Sequence, residues 1–203
     1  MLILLLACPA EQLGIELPEG GLSSVSEEDI RRDLHMLDGD PADRHERIQH
    51  RLEQMHTLPA FGSAYIREGV VCGLVDGSKA APTVVLALDE GSGAARSAAP
   101  VAAMISLAKT VDTPDRPDRS LLFCAAPSVE AYLAAPAVPV ADTHAMLSIG
   151  PLGGAELSSE DHASPLRRVH VQGRVPDEDR MSLLDPRILV GHVRRLSEAM
   201  SAL

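Results

Sequence analysis

The chain has 203 residues, with 18 Lys and Arg against 29 Asp and Glu, which gives a formal net charge of −11. This acidic balance argues against the basic surface by which proteins bind nucleic acids. With 2% aromatic residues and no Trp, the chain also has few side chains for base stacking. The hydrophobic share of 45% is ordinary for a soluble globular protein, and the length suits one domain with an aliphatic core.

A short apolar run, MLILLLA, ends at Cys8. The Leu-Leu-Ala-Cys ending looks like a bacterial lipoprotein processing site, at which Cys8 would be acylated. No Lys or Arg precedes the run, and it is short for a signal core and far too short to cross a bilayer, so a buried strand is the alternative. We favour the lipoprotein interpretation. It predicts the bacterial cell envelope as the location, with the cytoplasm as the alternative, and membrane contact only through a lipid on Cys8.

Residues 1–25 are therefore interpreted as this apolar segment and a linker, and residues 26–203 as a single domain. Ser26 predicts a helix N-cap, and Gly39 marks the end of that helix. Asp40-Pro41 opens a second helix, which stops before Pro59. The histidines of this second helix have no metal-binding spacing and are predicted to be solvated: His45, His50 and His56.

Residues 83–88 form a β-branched apolar run that predicts a strand buried on both faces. A glycine-rich turn follows, and from Ala98 the apolar residues recur at helical spacing. A strand that leads into a helix is half of a βαβ unit, in which ligands gather at the carboxyl end of the strand. Here that end carries Asp89, Glu90 and Arg96.

The other elements alternate in the same way. Strand patterns occupy residues 65–75 as a pair of segments before an Asp76-Gly77 turn, 120–125, 145–149 and 167–172, the last predicted as an edge strand. Residues 134–141 and 157–165 are predicted loops, and Asp185 caps a closing helix over 186–203. The alternation predicts an α/β three-layer sandwich around a mainly parallel central sheet.

Two smaller features have structural interpretations. Cys72 and Cys124 fall in predicted strands and match no zinc motif or disulfide framework, so we expect buried, inert thiols. Asp177, Glu178 and Asp179 form an acidic cluster, interpreted as a solvated loop rather than a weak Ca²⁺ site.

Several segments follow the order of a known family. GVVCGLVDG at residues 69–77 resembles its early strand, and GAARSAAPVAA at 93–103 resembles its loop and helix "GAxDNASGVAA". RSLLFCAAPSVEAYL resembles a strand that ends in Glu-Glu, LSIGPLGG resembles "lnlDmvG", and DEDRMSLLDPRILVGHVRRL resembles "SDTpDkldpelL". The chain thus resembles the di-zinc aminopeptidases, zinc-dependent exopeptidases that include glutaminyl cyclase-like members. The resemblance extends from about Ser26 onward and implies a trimmed exopeptidase-like fold.

The metal ligands that the resemblance implies are replaced in this chain. Leu88 matches the position of the first His ligand, Glu90 (or Asp89) that of the nearby acid, and Arg96 that of the bridging Asp. Ser128 with Val129 match the Glu-Glu pair, and Gly150 matches the later Asp. The last His position, near Arg174, has no His, although His170 is close in sequence. A guanidinium at the bridging position would repel each unit of metal charge by on the order of 4 kcal/mol at ~4 Å. Arg96 is instead expected to pair with Asp89 or Glu90.

These replacements predict no catalytic residue, no metal and no cofactor. The expected function is a non-catalytic peptidase-like domain that binds an unidentified protein partner, as a subunit of an envelope assembly. One alternative is a divergent metal-dependent hydrolase with a rearranged site drawn from Asp89, Glu90, Glu130, His144 or His170. Of these, Glu130 is predicted first as a residue that stabilises the start of a helix. Another is a peptide-binding domain that uses the family's cleft without cutting.

Overall fold

The structure is a computed structural model that describes residues 25–40, 43–55, 65–67, 69–111, 117–162, 166–201 and 203. The predictions for residues 1–24, which include Cys8, and those for Pro41 and His56 lie outside the described residues. No helix in the described part of the chain is long and apolar enough to span a membrane.

A seven-stranded sheet forms the middle layer, with the strand order β1-β2-β4-β3-β5-β7-β6. Its four central strands, β4, β3, β5 and β7, are parallel, whereas β1, β2 and β6 pair antiparallel at the two sides. The strands are β1 Tyr65–Arg67, β2 Val70–Val75, β3 Lys79–Leu88, β4 Arg119–Ala126, β5 Ala145–Ile149, β6 Leu157–His162 and β7 Arg168–Gly173. The predicted sandwich with a parallel centre is confirmed.

Helices cover the two faces of this sheet unequally. One core joins the sheet to four helices: α1 Glu27–Leu37, α2 Arg44–Met55, α3 Ala99–Val111 and α5 Pro186–Ser201. The other core contains the short helix α4, Val129–Ala134, through Tyr132. The alternation of strand side chains assigns Val85 and Ala87 of β3 to the first core and Val84 and Leu86 to the second. Because β3 is buried on both faces, its continuous apolar run is required by its position.

Two predicted caps are confirmed. The Ser26 hydroxyl accepts a hydrogen bond from the backbone N–H of Asp29 at 3.1 Å, and carboxylates occupy the first turn of α1. The Asp185 carboxylate accepts from the backbone N–H of Arg187 at 2.9 Å at the start of α5. Each cap satisfies a donor that the first helical turn leaves unpaired.

Two predictions at the far side of the sheet were wrong. Residues 157–162, predicted as part of a loop, form strand β6, and its partner β7 is therefore not an edge strand. β6 reads LSSEDH, and its residues are exposed from Ser158 to His162. A strand at a sheet edge can be polar on both faces, so hydrophobic alternation could not reveal it.

The helical segment after β3 begins earlier than predicted. A π-helical turn over Ala94–Ala98 precedes α3, so residues predicted as a glycine-rich turn are already helical. Pro100 is the second residue after this turn. Since proline has no N–H to donate to the preceding turn, a regular α-helix through this point would lose a hydrogen bond, and a wider turn is a natural accommodation.

The prediction of two free thiols was also wrong. Cys72 of β2 and Cys124 of β4 are directly opposite each other in the antiparallel register and form a disulfide. Their spacing of 52 residues gave no indication of the pairing, because the contact depends on which strands are neighbours in the sheet.

A buried carboxylate connects three helices on the thicker face. Asp33 of α1 is 1% exposed, and it accepts from Arg51 Nε of α2 at 3.1 Å and from Lys109 Nζ of α3 at 2.6 Å. Both cations are mostly buried, and Lys109 Nζ also lies 3.9 Å from Asp29 Oδ1, so two carboxylates face the two cations.

We expect Asp33→Asn to destabilise the fold by roughly 2–4 kcal/mol, because it leaves two largely buried cations without their carboxylate. Urea unfolding followed by circular dichroism measures this loss. The matched control is Glu28→Gln, which removes an exposed ion pair with Arg31 on the same helix and should change stability little. Equal losses in the two variants would contradict the role assigned to Asp33.

Candidate functional site

The sequence-predicted site residues meet at one edge of the sheet. Leu88 ends β3 and Asp89 follows it, Ser128 follows β4, and Gly150 follows β5. The three strands are parallel neighbours, with Leu88 opposite Ala126 and Ala87 opposite Ile149. Their carboxyl ends therefore lie side by side, which is where sites form in open α/β sheets.

A buried ion pair occupies the end of the central strand. Arg44 Nη1 at the start of α2 donates to Asp89 Oδ1 at 2.8 Å, and the two side chains are 9% and 6% exposed. The same oxygen accepts from the backbone N–H of Gly91 at 3.2 Å. Asp89 is thus held by a cation and a backbone donor from its own chain, and Arg44 is a partner that the sequence did not indicate.

A second arginine faces the neighbouring acid. Arg96 Nη1 lies 3.5 Å from Glu90 Oε2, with side chains that are 52% and 37% exposed. The predicted pairing of Arg96 is confirmed for Glu90, whereas Asp89 takes Arg44 instead. Since this second pair is largely solvated, it contributes little to stability.

Beside β4, Ser128 and Val129 begin a short helix. The Ser128 hydroxyl caps α4 by accepting from the backbone N–H of Ala131 at 3.1 Å, and Val129 is the first residue of α4. Glu130 lies in the first turn, where a hydrogen bond from its own backbone N–H and one from Ser128 lower the pKa of its carboxyl. Glu130 therefore lies at a helix start, as predicted.

An imidazole packs against Gly150. A Cβ added at Gly150 would lie 2.9 Å from His170 Cε1 and 3.0 Å from His170 Nε2, so a larger residue would require the ring to move. His170 Nδ1 is 2.9 Å from Ser148 Oγ across the β5–β7 pair, and this hydrogen bond holds the ring in place. A side chain at position 150 therefore has no room in this arrangement.

The loop after β5 closes onto the π-helical turn. Leu152 donates its backbone N–H to the Ala95 carbonyl at 2.8 Å. The Asp179 carboxylate accepts the backbone N–H groups of Ala95 and Arg96. Asp179 was predicted as part of a solvated acidic loop; the structure gives it this capping contact, while Asp177 and Glu178 are exposed. Backbone and capping groups thus fill the space beside Gly93, where an added Cβ would meet the Asp179 carboxylate.

The residues of the alternative rearranged site are dispersed. His144 precedes β5, at the opposite edge of the sheet from Asp89, and its Nε2 is 3.0 Å from the Leu203 carbonyl oxygen. Glu130 points from the exposed first turn of α4, and His170 is bonded to Ser148. Across the described ranges, no group of three or more His, Cys, Asp or Glu residues is arranged to hold a metal ion.

Three contacts of the site were missed by sequence reasoning: Arg44 with Asp89, Asp179 with the π-helical turn, and His170 over Gly150. Arg44 is 45 positions from Asp89 and Asp179 is 84 from Ala95, so no local pattern connects them. The acidic cluster containing Asp179 was visible, but its place above a helix start depends on the folded chain.

No family model matches the sequence, and a search of curated proteins finds no match. Solved structures do match. The LapA aminopeptidase of Legionella pneumophila superposes with a TM-score of 0.69 at 10% identity, over 93% of this chain and 76% of that one. The glutaminyl cyclase of Porphyromonas gingivalis gives 0.61 at 8% identity, over 86% and 98% of the two chains. A zinc aminopeptidase from Bacillus subtilis gives 0.51 at 10% identity, over 64% and 48%.

The chain has the fold of aminopeptidases and glutaminyl cyclases. The neighbours share its architecture at identities of 10% or below, so the likeness is one of fold. The fold implied by the sequence resemblance is confirmed.

A buried histidine lies beneath the loop that follows Gly150. His192 of α5 is 2% exposed, and neither ring nitrogen makes a hydrogen bond within the described part of the chain, although the carbonyl groups of Ala155 and Gly154 are near. Burial lowers the pKa of this imidazole, and the positive charge of Arg195 lowers it further, while the nearby carbonyl groups oppose the shift. The ring is therefore neutral in the folded chain at neutral pH.

Removing Arg44 should destabilise the fold far more than removing Arg96. We expect Arg44→Met to cost roughly 3–5 kcal/mol, because it leaves the Asp89 carboxylate buried without its cation, whereas Arg96→Met should cost less than about 1 kcal/mol. Adding Asp89→Leu to Arg44→Met should restore part of the loss, since no unpaired charge remains. Denaturant unfolding of the three variants measures these effects; equal costs for the two arginines would contradict the buried pair.

Acidification should weaken the fold through His192. Folding lowers the pKa of His192 from its ordinary value of 6.5. The unfolded chain therefore binds this proton more readily than the folded chain does. The free energy of unfolding should therefore fall as the pH is lowered through about 6.5. His192→Met should flatten this dependence, and an undiminished dependence in that variant would contradict the role of His192. The pKa of His144 is also lowered, mainly by burial, so some pH dependence should persist in His192→Met.

Proposed function

We propose that this chain is a non-catalytic peptidase-like domain that acts as a binding or scaffold module, as a subunit of a bacterial envelope assembly. The fold of a hydrolase family does not by itself supply hydrolase chemistry, which depends on particular side chains at the site. The proposal therefore rests on what stands at the carboxyl edge of the sheet.

The observation that carries the proposal is the chain's own charge compensation at this edge. Asp89 is engaged by Arg44 and Glu90 by Arg96, at 2.8 Å and 3.5 Å. Metal ligands must be free, deprotonated donors, and arginine is always cationic and donates hydrogen bonds only. Residues that already neutralise each other with guanidinium groups do not fit a pair of zinc ions.

The remaining positions that resemble family ligands support the same view. Leu88 has no donor atom for a metal, Ser128 uses its hydroxyl to cap α4, and Val129 is apolar. Gly150 has no side chain, and His170 packs where an Asp side chain would begin. Each of these positions therefore lacks the metal-binding side chain that the resemblance implies there, which supports the non-catalytic proposal.

The envelope part of the proposal depends on the N-terminal sequence. An acylated Cys8 would anchor the chain to a membrane surface through lipid, and residues 9–24 would link the anchor to the domain. A protein partner suits the acidic, aromatic-poor composition better than nucleic acid does.

Zinc analysis and turnover test the non-catalytic part. Purified protein dialysed against zinc is expected to retain substoichiometric metal, and to hydrolyse no aminoacyl-p-nitroanilide and cyclise no N-terminal glutaminyl peptide. Arg96→Gln, which frees Glu90 without disturbing the buried pair, should behave in the same way, and a zinc aminopeptidase assayed in parallel is the positive control. Stoichiometric zinc with turnover that a chelator abolishes would overturn the proposal and favour the divergent hydrolase.

Extraction from the native envelope tests the binding part. In mild detergent the chain should migrate as part of a complex clearly larger than its own 21.5 kDa. A Cys8→Ser variant should leave the membrane fraction while retaining the fold. Migration of the wild-type chain as a free monomer would contradict the role as an assembly subunit.

A further inference from the structure

The Cys72–Cys124 disulfide lies deep in the core on the thinner face of the sheet. The two residues are 1% and 0% exposed. Their side chains belong to the same apolar cluster as Val70, Leu86 and Met146. No part of the disulfide is open to a substrate or to a redox protein while the chain is folded.

The surroundings of this disulfide are those of a structural bond rather than a reactive one. A reactive cysteine is partly exposed and has a Lys, Arg or protonated His beside it, or a helix N-terminus, which stabilises the thiolate. Here Cys72 and Cys124 sit in mid-strand, and in the sheet Cys124 is flanked by Cys72 on one side and Leu86 on the other. The described side chains that form a cluster with the two cysteines are apolar.

The bond joins two parts of the sheet that are distant in sequence. The β1–β2 hairpin is attached to the parallel strands through the β2–β4 pairing. Within the segment that the disulfide closes, 52 positions long, lie β3, the π-helical turn and α3, with Asp89, Glu90 and Arg96 of the candidate site. A cross-link over so long a segment restricts the unfolded chain strongly.

We infer that this chain folds in an oxidising compartment, where a thiol–disulfide oxidoreductase or a small disulfide such as oxidised glutathione forms the Cys72–Cys124 bond. The two cysteine thiols lose two protons and two electrons as their sulfur atoms join. The disulfide of the oxidant is broken, and it takes up the two electrons and two protons to become a pair of thiols. Proteins of reducing compartments rarely keep such bonds, whereas secreted and periplasmic proteins do. The inference deepens the envelope part of the proposed function and is independent of whether the chain has catalytic activity.

Alkylation of the native chain tests the inference. Cells that produce the protein are quenched in acid, and the chain is denatured and treated with N-ethylmaleimide before and after reduction. Cys72 and Cys124 should be modified only after reduction, and their two peptides should be joined before it. Modification of both cysteines without reduction in the quenched cells would overturn the inference, as would an intact bond in chain recovered from the cytoplasmic fraction.

Stability measurements separate the bond from the third cysteine. A reductant should leave the folded protein intact, because the sulfur atoms are buried, and should lower the unfolding midpoint once denaturant exposes them. Cys72→Ala with Cys124→Val should lower the midpoint and abolish the effect of reductant, whereas Cys8→Ser should retain it. A wild-type midpoint that does not change with reductant would contradict a structural bond.

The alkylation result needs no variant, so it stands even where the double variant fails to fold. Free thiols at Cys72 and Cys124 in a cytoplasmic protein that binds no zinc would refute this inference and leave the non-catalytic proposal standing. A disulfide in a protein with zinc-dependent turnover would refute the non-catalytic proposal and leave this inference standing.

Discussion

The contact between Arg44 and Asp89 constrains both the packing and the chemistry of this molecule. Asp89 directly follows the central strand and Arg44 begins α2, so the ion pair fixes a helix to the carboxyl edge of β3. A charge this deeply buried requires its counter-charge, and each side chain therefore restricts where the other can be. The Asp89 carboxylate at the centre of the edge is therefore already paired within its own chain. The neighbouring positions lie beside this paired carboxylate, and their chemistry is limited by it.

The elements with a strong local pattern were predictable from sequence. The apolar run of β3, the buried strands β4 and β5, and the capped helices α1 and α5 each carry their pattern within a few consecutive residues. Their alternation was enough to predict a layered α/β fold, and the segment resemblance suggested the exopeptidase-like architecture that the solved structures share. The carboxyl edge was also predictable, because parallel neighbours end on the same side.

What sequence could not give depends on contacts between distant residues. The partner of Asp89, the pairing of Cys72 with Cys124 and the packing of His170 on Gly150 follow from strand order and helix placement. Strand β6 was missed for a different reason, since its ladder with β7 is made by backbone groups and its exposed polar side chains carry no burial signal. The start of helical structure at Ala94 was missed because a run of small residues after glycine is compatible with both a turn and a helix.

Helix α3 is enclosed on all sides: every residue from Ala99 to Val111 is buried except Lys109, whose ammonium group extends to Asp33. A helix in such a position needs side chains of suitable volume, apolar at most sites, and exchanges among Ala, Val, Ile, Leu and Met that conserve the total volume are tolerated. The frame of the fold therefore does not depend on one particular set of interior side chains. Chains with about one identical residue in ten can accordingly superpose over most of their length.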